Sequence, residues 1–248
     1  MERLVQSVLQ RVLGFDRYLR WFSRVKIRTL RWDRNERDVL HFISQLPEDG
    51  VVLDIGANIG IMTVLMARRV SRGRVHAFEP IPDNFRTLQA NVEHFGLTNV
   101  SLHQLALGEE QGELQMVMPE EQHVRMQGLS HVVGAPGSGD PNGRRYQVPQ
   151  VRLDDLDVLA DTPIAGIKID VENFEQYVLR GARQLLERWH PPIYAELGPN
   201  ENRERCLELV ESLGYWAGVL EGDRVVPFEP ARHGQHNFFL VPPAGTGS

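Results

Sequence analysis

A single cysteine, Cys206, in 248 residues rules out an internal disulfide and any cysteine-built metal cluster. It falls in a helical pattern running from Glu204 to Leu213 and reads as a small apolar core residue. No apolar run approaches the length that a bilayer demands. The first apolar stretch, Val5 to Leu13, is broken by Gln6, Ser7, Gln10 and Arg11 and is followed by no small-residue cleavage site. A soluble cytoplasmic protein is therefore expected. A basic excess is missing as well: the formal net charge of -6 speaks against a nucleic-acid partner, which calls for a basic surface. That charge is uneven, since Lys and Arg outnumber Asp and Glu about two to one from Met1 to Leu40. The remaining body is acidic, which suits a cationic ligand.

What is present is a change of grammar along the chain. Residues 1–48 read as a helical extension: Leu4, Val5, Val8, Leu9, Val12 and Leu13 form one apolar stripe that Gly14 ends. Tyr18, Leu19, Trp21 and Phe22 follow among arginines, and a further helix is predicted from Asn35 to Gln45. This arm reads first as packing on the main domain or on a second subunit of a homodimer. The alternative is a basic, aromatic arm resting on an anionic membrane surface. Residues 49–243 then alternate strands and helices, the pattern of a parallel sheet covered on both faces. Strands are predicted at Val51–Ile55, Arg74–Glu79, Asn99–Leu105, Ile164–Val171 and Ile193–Leu197, with Tyr215–Leu220 and His236–Val241 paired at the edge. Helices are predicted at Ile61–Arg69, from Pro82 through Phe95, at Phe174–Arg188 and at Glu201–Leu213.

The expected architecture is a Rossmann-like α/β fold, with a mostly parallel seven-stranded sheet, helices on both faces and an antiparallel edge strand. Residues 109–150 interrupt it. There Leu114–Met118 and Tyr146–Val151 look like a strand pair added to the sheet. Between them lie Gly128, Gly134, Pro136, Gly137, Gly139, Pro141 and Gly143, too many breakers for a regular element, so a substrate loop is expected. Residues 244–248 read as a frayed tail.

The strongest local signal is Asp54-Ile-Gly56-Ala-Asn58-Ile-Gly60, directly after a strand and directly before a helix. Glycine lets the backbone turn sharply and lets a ligand approach the main chain. The second strand ends in Phe78-Glu79-Pro80, which places a carboxylate where it can accept hydrogen bonds from ribose hydroxyls. Together these features indicate an adenosine-containing cofactor. The dinucleotide pattern G-x-G-x-x-G is absent, because Asn58 follows Gly56 and Gly60 falls one position early. Asp54 beside a pyrophosphate would set negative charge against negative charge, whereas a sulfonium-bearing cofactor meets no such conflict. A nicotinamide oxidoreductase is thus the weaker alternative, beside a non-catalytic cofactor-binding protein.

At these residues the chain resembles the FkbM family of S-adenosylmethionine-dependent methyltransferases. The matching stretches are DIGANIG (Asp54–Gly60), AFEP (Ala77–Pro80), NFRTL (Asn84–Leu88), GLTNV (Gly96–Val100), ALG (Ala106–Gly108), LDDL (Leu153–Leu156), IKIDVE with Glu175, VLRGA (Val178–Ala182) and the strand ending at Glu196. They run in order from Val51 to Leu197. The resemblance implies that the Asp54–Gly60 turn, with Asp54, Gly56, Asn58 and Gly60, holds the methionine part of S-adenosylmethionine. It further implies that Glu79 holds the ribose, that Ala106 lies along the adenine, and that Asp170 sits where cofactor and acceptor meet. The expected partner is a small-molecule acceptor: a hydroxyl of a sugar, a polyketide or another secondary metabolite. The family usually has glycine where this chain has Asn173, a residue that tolerates positive φ.

Transfer to oxygen needs alignment and a base for the hydroxyl proton. Asp170 and Glu172 alternate and point to the same side if the fourth strand extends that far, and Glu196 ends the neighbouring one. These carboxylates have three readings: general base, ligands of a divalent metal, or fixed charges favouring the cationic cofactor. No cage spacing supports the metal. His131 and His123, on the irregular loop, are alternative bases. His103 and His236 lie in predicted strands and suit packing. His190-Pro-Pro-Ile-Tyr194 is faintly similar to an amine-methylation signature but precedes the fifth strand, and helix termination explains it.

Overall fold

The computed structural model describes residues 2–121, 124–134 and 142–244. His123 and most of the predicted breaker run, with the last four residues of the tail, lie outside them. The chain opens with helices α1 (Glu2–Leu13), α2 (Phe15–Thr29) and α3 (Arg37–Gln45). Strand β1 (Val51–Ile55), helix α4 (Ile61–Arg69), strand β2 (Arg74–Phe78), helix α5 (Pro82–His94) and strand β3 (Val100–His103) follow in alternation. The next segment contains only strands: β4 (Ala106–Leu107), β5 (Gly112–Glu121), β6 (Val124–Arg125), β7 (His131–Val132) and β8 (Gly143–Val151). The alternation resumes with β9 (Ile164–Ile169), α6 (Glu175–Gly181), α7 (Arg183–Trp189), β10 (Ile193–Glu196) and α8 (Glu201–Ser212). It closes with β11 (Trp216–Glu221), β12 (Arg224–Pro227) and β13 (Asn237–Val241).

The main sheet has the order β12-β11-β13-β10-β9-β1-β2-β3, eight strands rather than the predicted seven. Five strands, β10-β9-β1-β2-β3, run parallel, while β13, β11 and β12 add an antiparallel edge on the other side. The additional strand is β12, a short, partly exposed edge element whose pattern is too weak to stand out. Val52, Leu53, Ile55, Val75, Ala77 and Phe78 are buried, as strands covered on both faces require.

Two predicted elements differ in kind. The inserted strands do not extend the main sheet. They form a second sheet of order β4-β8-β5-β6, with β7 pairing to β5. Met116, Met118, Val132 and Val148 bury one side of it against the same core as Ile55, Phe78 and Ile81, which edge pairing would have left in water. The predicted long helix from Phe174 is two helices broken at Ala182. A Cβ at Gly181 would fall 1.9 Å from the Gly108 carbonyl oxygen, so the chain crosses the β4 end too closely for a straight, ordinary helix surface.

The N-terminal helices pack on the body. Tyr18 and Leu19 are buried against Ile59, and the Asn91 amide donates to Ser23 Oγ and to the Ile59 carbonyl, each at 2.8 Å. Gln10 makes a two-way amide bond with the backbone of Arg125 (3.2 and 3.1 Å), so α1 also holds the β6 end of the second sheet. Among the described residues, no helix is long and apolar enough to cross a membrane.

Candidate functional site

The carboxyl ends of β1, β2 and β9 meet at one cleft, where open α/β sheets place ligands. Its larger lobe, about 420 Å³, is lined by Gly56, Asn58, Glu79, Asn84, Asp170 and Glu172, and by Gln127, Gly128 and Ser130 from the insertion. An adjoining lobe of about 310 Å³ is apolar, with Phe78, Leu105, Ala106, Leu107, Val132 and Phe174 in its wall. Gly56, Pro80, Met116 and Val171 border both.

The glycine turn is built by steric necessity. Gly56 has φ 76°, and a Cβ there would fall 1.9 Å from the Asp170 carbonyl oxygen. The N–H groups of Gly56 and Ala57 both donate to the Phe78 carbonyl (3.1 and 2.9 Å), binding the turn to the end of β2. Asn58 takes φ 50°, and its N–H donates 2.8 Å to Glu79 Oε2.

Glu79 is buried. Its Oε1 accepts from the Ile81 N–H at 2.9 Å and from Asn84 Nδ2 at 3.3 Å. Burial pushes its pKa up to about 7 against those donors, which pull it down. A carboxylate accepts about four hydrogen bonds, so three are taken and one position is left on a residue that lines the cleft. Beside it, Asn58 Oδ1 and Asn84 Oδ1 are buried acceptors without a partner. Buried acceptors of this kind call for donors. Three acceptors grouped at the rim of an apolar lobe fit a nucleoside, whose ribose offers hydroxyls and whose base is flat.

The structure withdraws two predicted residues from the wall. Asp54 is fully buried; its Oδ2 accepts from Thr63 Oγ1 at 2.5 Å, and its Oδ1 lies 3.6 Å from Lys168 Nζ. Gly60 lies behind the turn, starting α4 at φ 83°, where a Cβ would meet Leu88 at 2.6 Å. Both shape the turn from within. Gly56, Asn58, Glu79, Ala106 and Asp170 do line the cleft.

The acidic group is rearranged as well. β9 ends at Ile169, so Asp170 and Glu172 do not alternate along one strand. The Asp170 N–H still donates to the Ile55 carbonyl at 3.1 Å, after which Glu172 (φ 51°) and Asn173 (φ 69°) turn left-handed. Asn173 survives that turn as expected, its Oδ1 accepting from Asn200 Nδ2 at 2.5 Å. Asp170 and Glu172 are both in the wall. Burial, with the charges of Asp170 and Glu196 nearby, pushes the Glu172 pKa to about 8. Glu196 is exposed at the end of β10 and, like His131, stays out of the wall. His131 Nδ1 sits 2.9 Å from the Leu129 carbonyl, and its neighbour Ser130 faces the cleft instead. No group of three or more His, Cys, Asp or Glu among the described residues could hold a metal ion.

Lys168 is the residue that sequence reasoning missed. Its buried ammonium donates to the Gly56 carbonyl at 2.9 Å and lies 3.3 Å from Asp170 Oδ2, joining the glycine turn to the end of β9. Burial lowers its pKa, but Asp170 and Asp54 outweigh that and leave it raised. The available signal was a lone cation within the apolar run Ile164–Ile169. A second omission is Asp83, buried on the first turn of α5, which accepts from Tyr146 Oη at 2.7 Å and Arg144 Nη1 at 3.2 Å. It ties the second sheet over the cleft.

Strand order, glycine turn and acid-capped second strand define a Rossmann-like methyltransferase fold with a cleft at the carboxyl ends of its strands. The family model described as Methyltransferase FkbM domain matches residues 54–231, and the chain belongs to that family. Methyltransferase 1 of Beauveria bassiana is 30% identical over 207 residues, covering 77% of this chain and 82% of the relative. The hexuronic acid methyltransferase AglP of Haloferax volcanii is 29% identical over 156 residues (62% and 59% of the two chains). The 31-O-demethyl-FK506 methyltransferase FkbM of Streptomyces tacrolimicus is 33% identical over 169 residues (57% and 62%). Among solved structures, the methyltransferase FkbM of Methylobacillus flagellatus shares the fold, with a TM-score of 0.53 at 16% identity over 79% of this chain. This chain spans 44% of that longer one.

Proposed function

We propose that the protein transfers a methyl group from S-adenosylmethionine to a hydroxyl oxygen of a small molecule. The observation that carries this reading is the group of three cleft-lining residues with acceptor capacity to spare, Glu79, Asn58 and Asn84, next to the apolar lobe at Ala106. Glu79 accepts a ribose hydroxyl, and the two asparagine carbonyls take the remaining donors. Ala106, Leu107 and Phe174 enclose the base. When bound, S-adenosylmethionine supplies a methyl carbon on a sulfonium leaving group. Asp170 and Glu172 line the same cleft and are the carboxylates to which the acceptor hydroxyl passes its proton as the new carbon–oxygen bond forms and the methyl–sulfur bond breaks. Glu172, titrating at about 8, is matched to proton transfer near neutrality. Lys168 holds Asp170 and the glycine turn in fixed relation, so proton acceptor and methyl group are aligned. The oxygen preference is supported by the relative whose name specifies 31-O-demethyl-FK506, and a sugar-type acceptor by the relative named for a hexuronic acid.

Calorimetry with S-adenosylmethionine, followed by an acceptor screen with labelled methyl donor, tests the proposal. Micromolar binding and S-adenosylhomocysteine release with a hydroxyl acceptor are expected. No binding at millimolar cofactor would remove the nucleoside assignment, and product formed only with amines would remove the oxygen assignment.

A further inference from the structure

We infer that the outer face of α2 is a docking surface for an anionic phospholipid membrane. Trp21, Val25, Arg28 and Trp32 recur at helical spacing along α2 and the single 3₁₀ turn, Leu30–Trp32, that continues it. The opposite face, with Leu19, Ser23, Ile27 and Leu30, is buried on the body. The helix is thus already anchored on one side. Its other side nevertheless presents Trp21 at 51% exposure, Val25 at 40% and Trp32 at 66%.

Charge sets the chemistry of the partner. Arg17, Arg20, Arg24, Arg28, Arg31 and Arg34 form no ion pair with a described carboxylate. The neighbouring acids are occupied: Asp33 and Glu36 pair with Lys26, and Asp16 lies 3.9 Å from Arg86. The face offered to solvent is therefore cationic with aromatic groups interleaved. The first 40 residues carry ten Lys and Arg against five Asp and Glu, while the rest of the chain carries 17 against 28. Arginine and tryptophan on one straight face, about 27 Å long, match the headgroup layer of an anionic leaflet, where the cations meet phosphate and the indoles lie at the interface. A polynucleotide would meet the arginines but leave Val25, and Val8 and Val12 on the preceding helix (52% and 75% exposed), without use. The acidic body would also repel it along its length.

The test uses the full chain and two sets of vesicles, phosphatidylcholine alone and phosphatidylcholine mixed with phosphatidylglycerol. Co-sedimentation with the mixed vesicles only, weakened by salt, is expected. The combined variant Arg17→Gln, Arg20→Gln, Arg31→Gln should lose roughly two orders of magnitude in vesicle affinity. Trp21→Ala with Trp32→Ala should weaken binding without altering its salt dependence. All five positions are exposed, and an unchanged melting temperature confirms that each variant folds. Three results would overturn the inference: no binding of the wild-type chain to mixed vesicles at low salt, equal binding by the arginine variant, or preferential retention on polyuridylate. Self-association that the same arginine substitutions abolish, without vesicle binding, would assign the face to a second copy and equally refute the membrane.

Discussion

Cofactor binding should tighten as pH rises through neutrality, and Glu79 should be the cause. In the free protein this carboxyl titrates at about 7, because burial penalises its charge. Ribose hydroxyls donate more strongly to the carboxylate than to the protonated acid, so binding favours the charged form and lowers the pKa in the complex. Sign follows directly: below 7 the ligand must displace a proton, and affinity should fall about tenfold, ~1.4 kcal/mol, for each further unit of acidity until the bound-state pKa is reached. Above 7 the Glu79 contribution should level off. S-adenosylhomocysteine, which lacks the sulfonium, is the better probe, because its affinity responds less to the nearby Glu172 titrating at about 8. Isothermal calorimetry across this range, repeated in buffers of different ionisation enthalpy, gives both the affinity and the protons released. Wild type should release about half a proton when binding is measured near its free pKa. Glu79→Gln should bind weakly and lose this part of the proton release. That substitution turns an amide N–H toward the Asn58 or Ile81 N–H, which adds about 1–3 kcal/mol of destabilisation and is checked by thermal melting. A wild-type affinity that is flat, or that falls as pH rises, would refute the ribose assignment.

Four other outcomes are expected. Lys168→Met leaves buried Asp54 with Thr63 alone and should cost about 3–5 kcal/mol in urea unfolding; a loss below about 1 kcal/mol would show that the ammonium holds nothing in place. Asp170→Asn should lower kcat far more than it changes melting temperature, and full turnover in that variant would move the base to Glu172. Glu79, Glu172 and Glu175 have folded-state pKa values of about 7, 8 and 7, above the ordinary 4.5. The folded chain therefore binds protons more tightly than the unfolded one across that interval, and the cofactor-free protein should lose melting temperature as pH rises from about 5 to 8. Asn173→Ala should be less stable than Asn173→Gly by about 1 kcal/mol, because φ 69° penalises a Cβ without the asparagine side chain to compensate.

Local chemistry was the legible part of the sequence. The turn at Gly56 and the acid at Glu79 each depend on neighbours a few positions away, and both stand where strand grammar put them. The inserted strands were visible as strands, since Leu114, Met116 and Met118 repeat every second residue. Their sheet was not, because period says nothing about which distant partner takes the hydrogen bonds. Glu172 was misplaced for a related reason: only tertiary context ends β9 at Ile169 and turns the next residues left-handed. Lys168 was readable in principle, since a cation inside an apolar strand must find carboxylates. Asp83 was not, because its partners Arg144 and Tyr146 lie some sixty positions away.

The amide clasp between Gln10 and the Arg125 backbone has a practical consequence. The family match begins at residue 54, inside β1, which invites cutting the protein just ahead of that strand. A chain shortened in that way would strip Tyr18 and Leu19 from Ile59, take Ser23 from Asn91, and release the strand next to Gln127 and Gly128. The helices ahead of the match brace an entrance they never line, and a trimmed chain would forfeit the shape of its doorway together with the core side chains that α3 contributes.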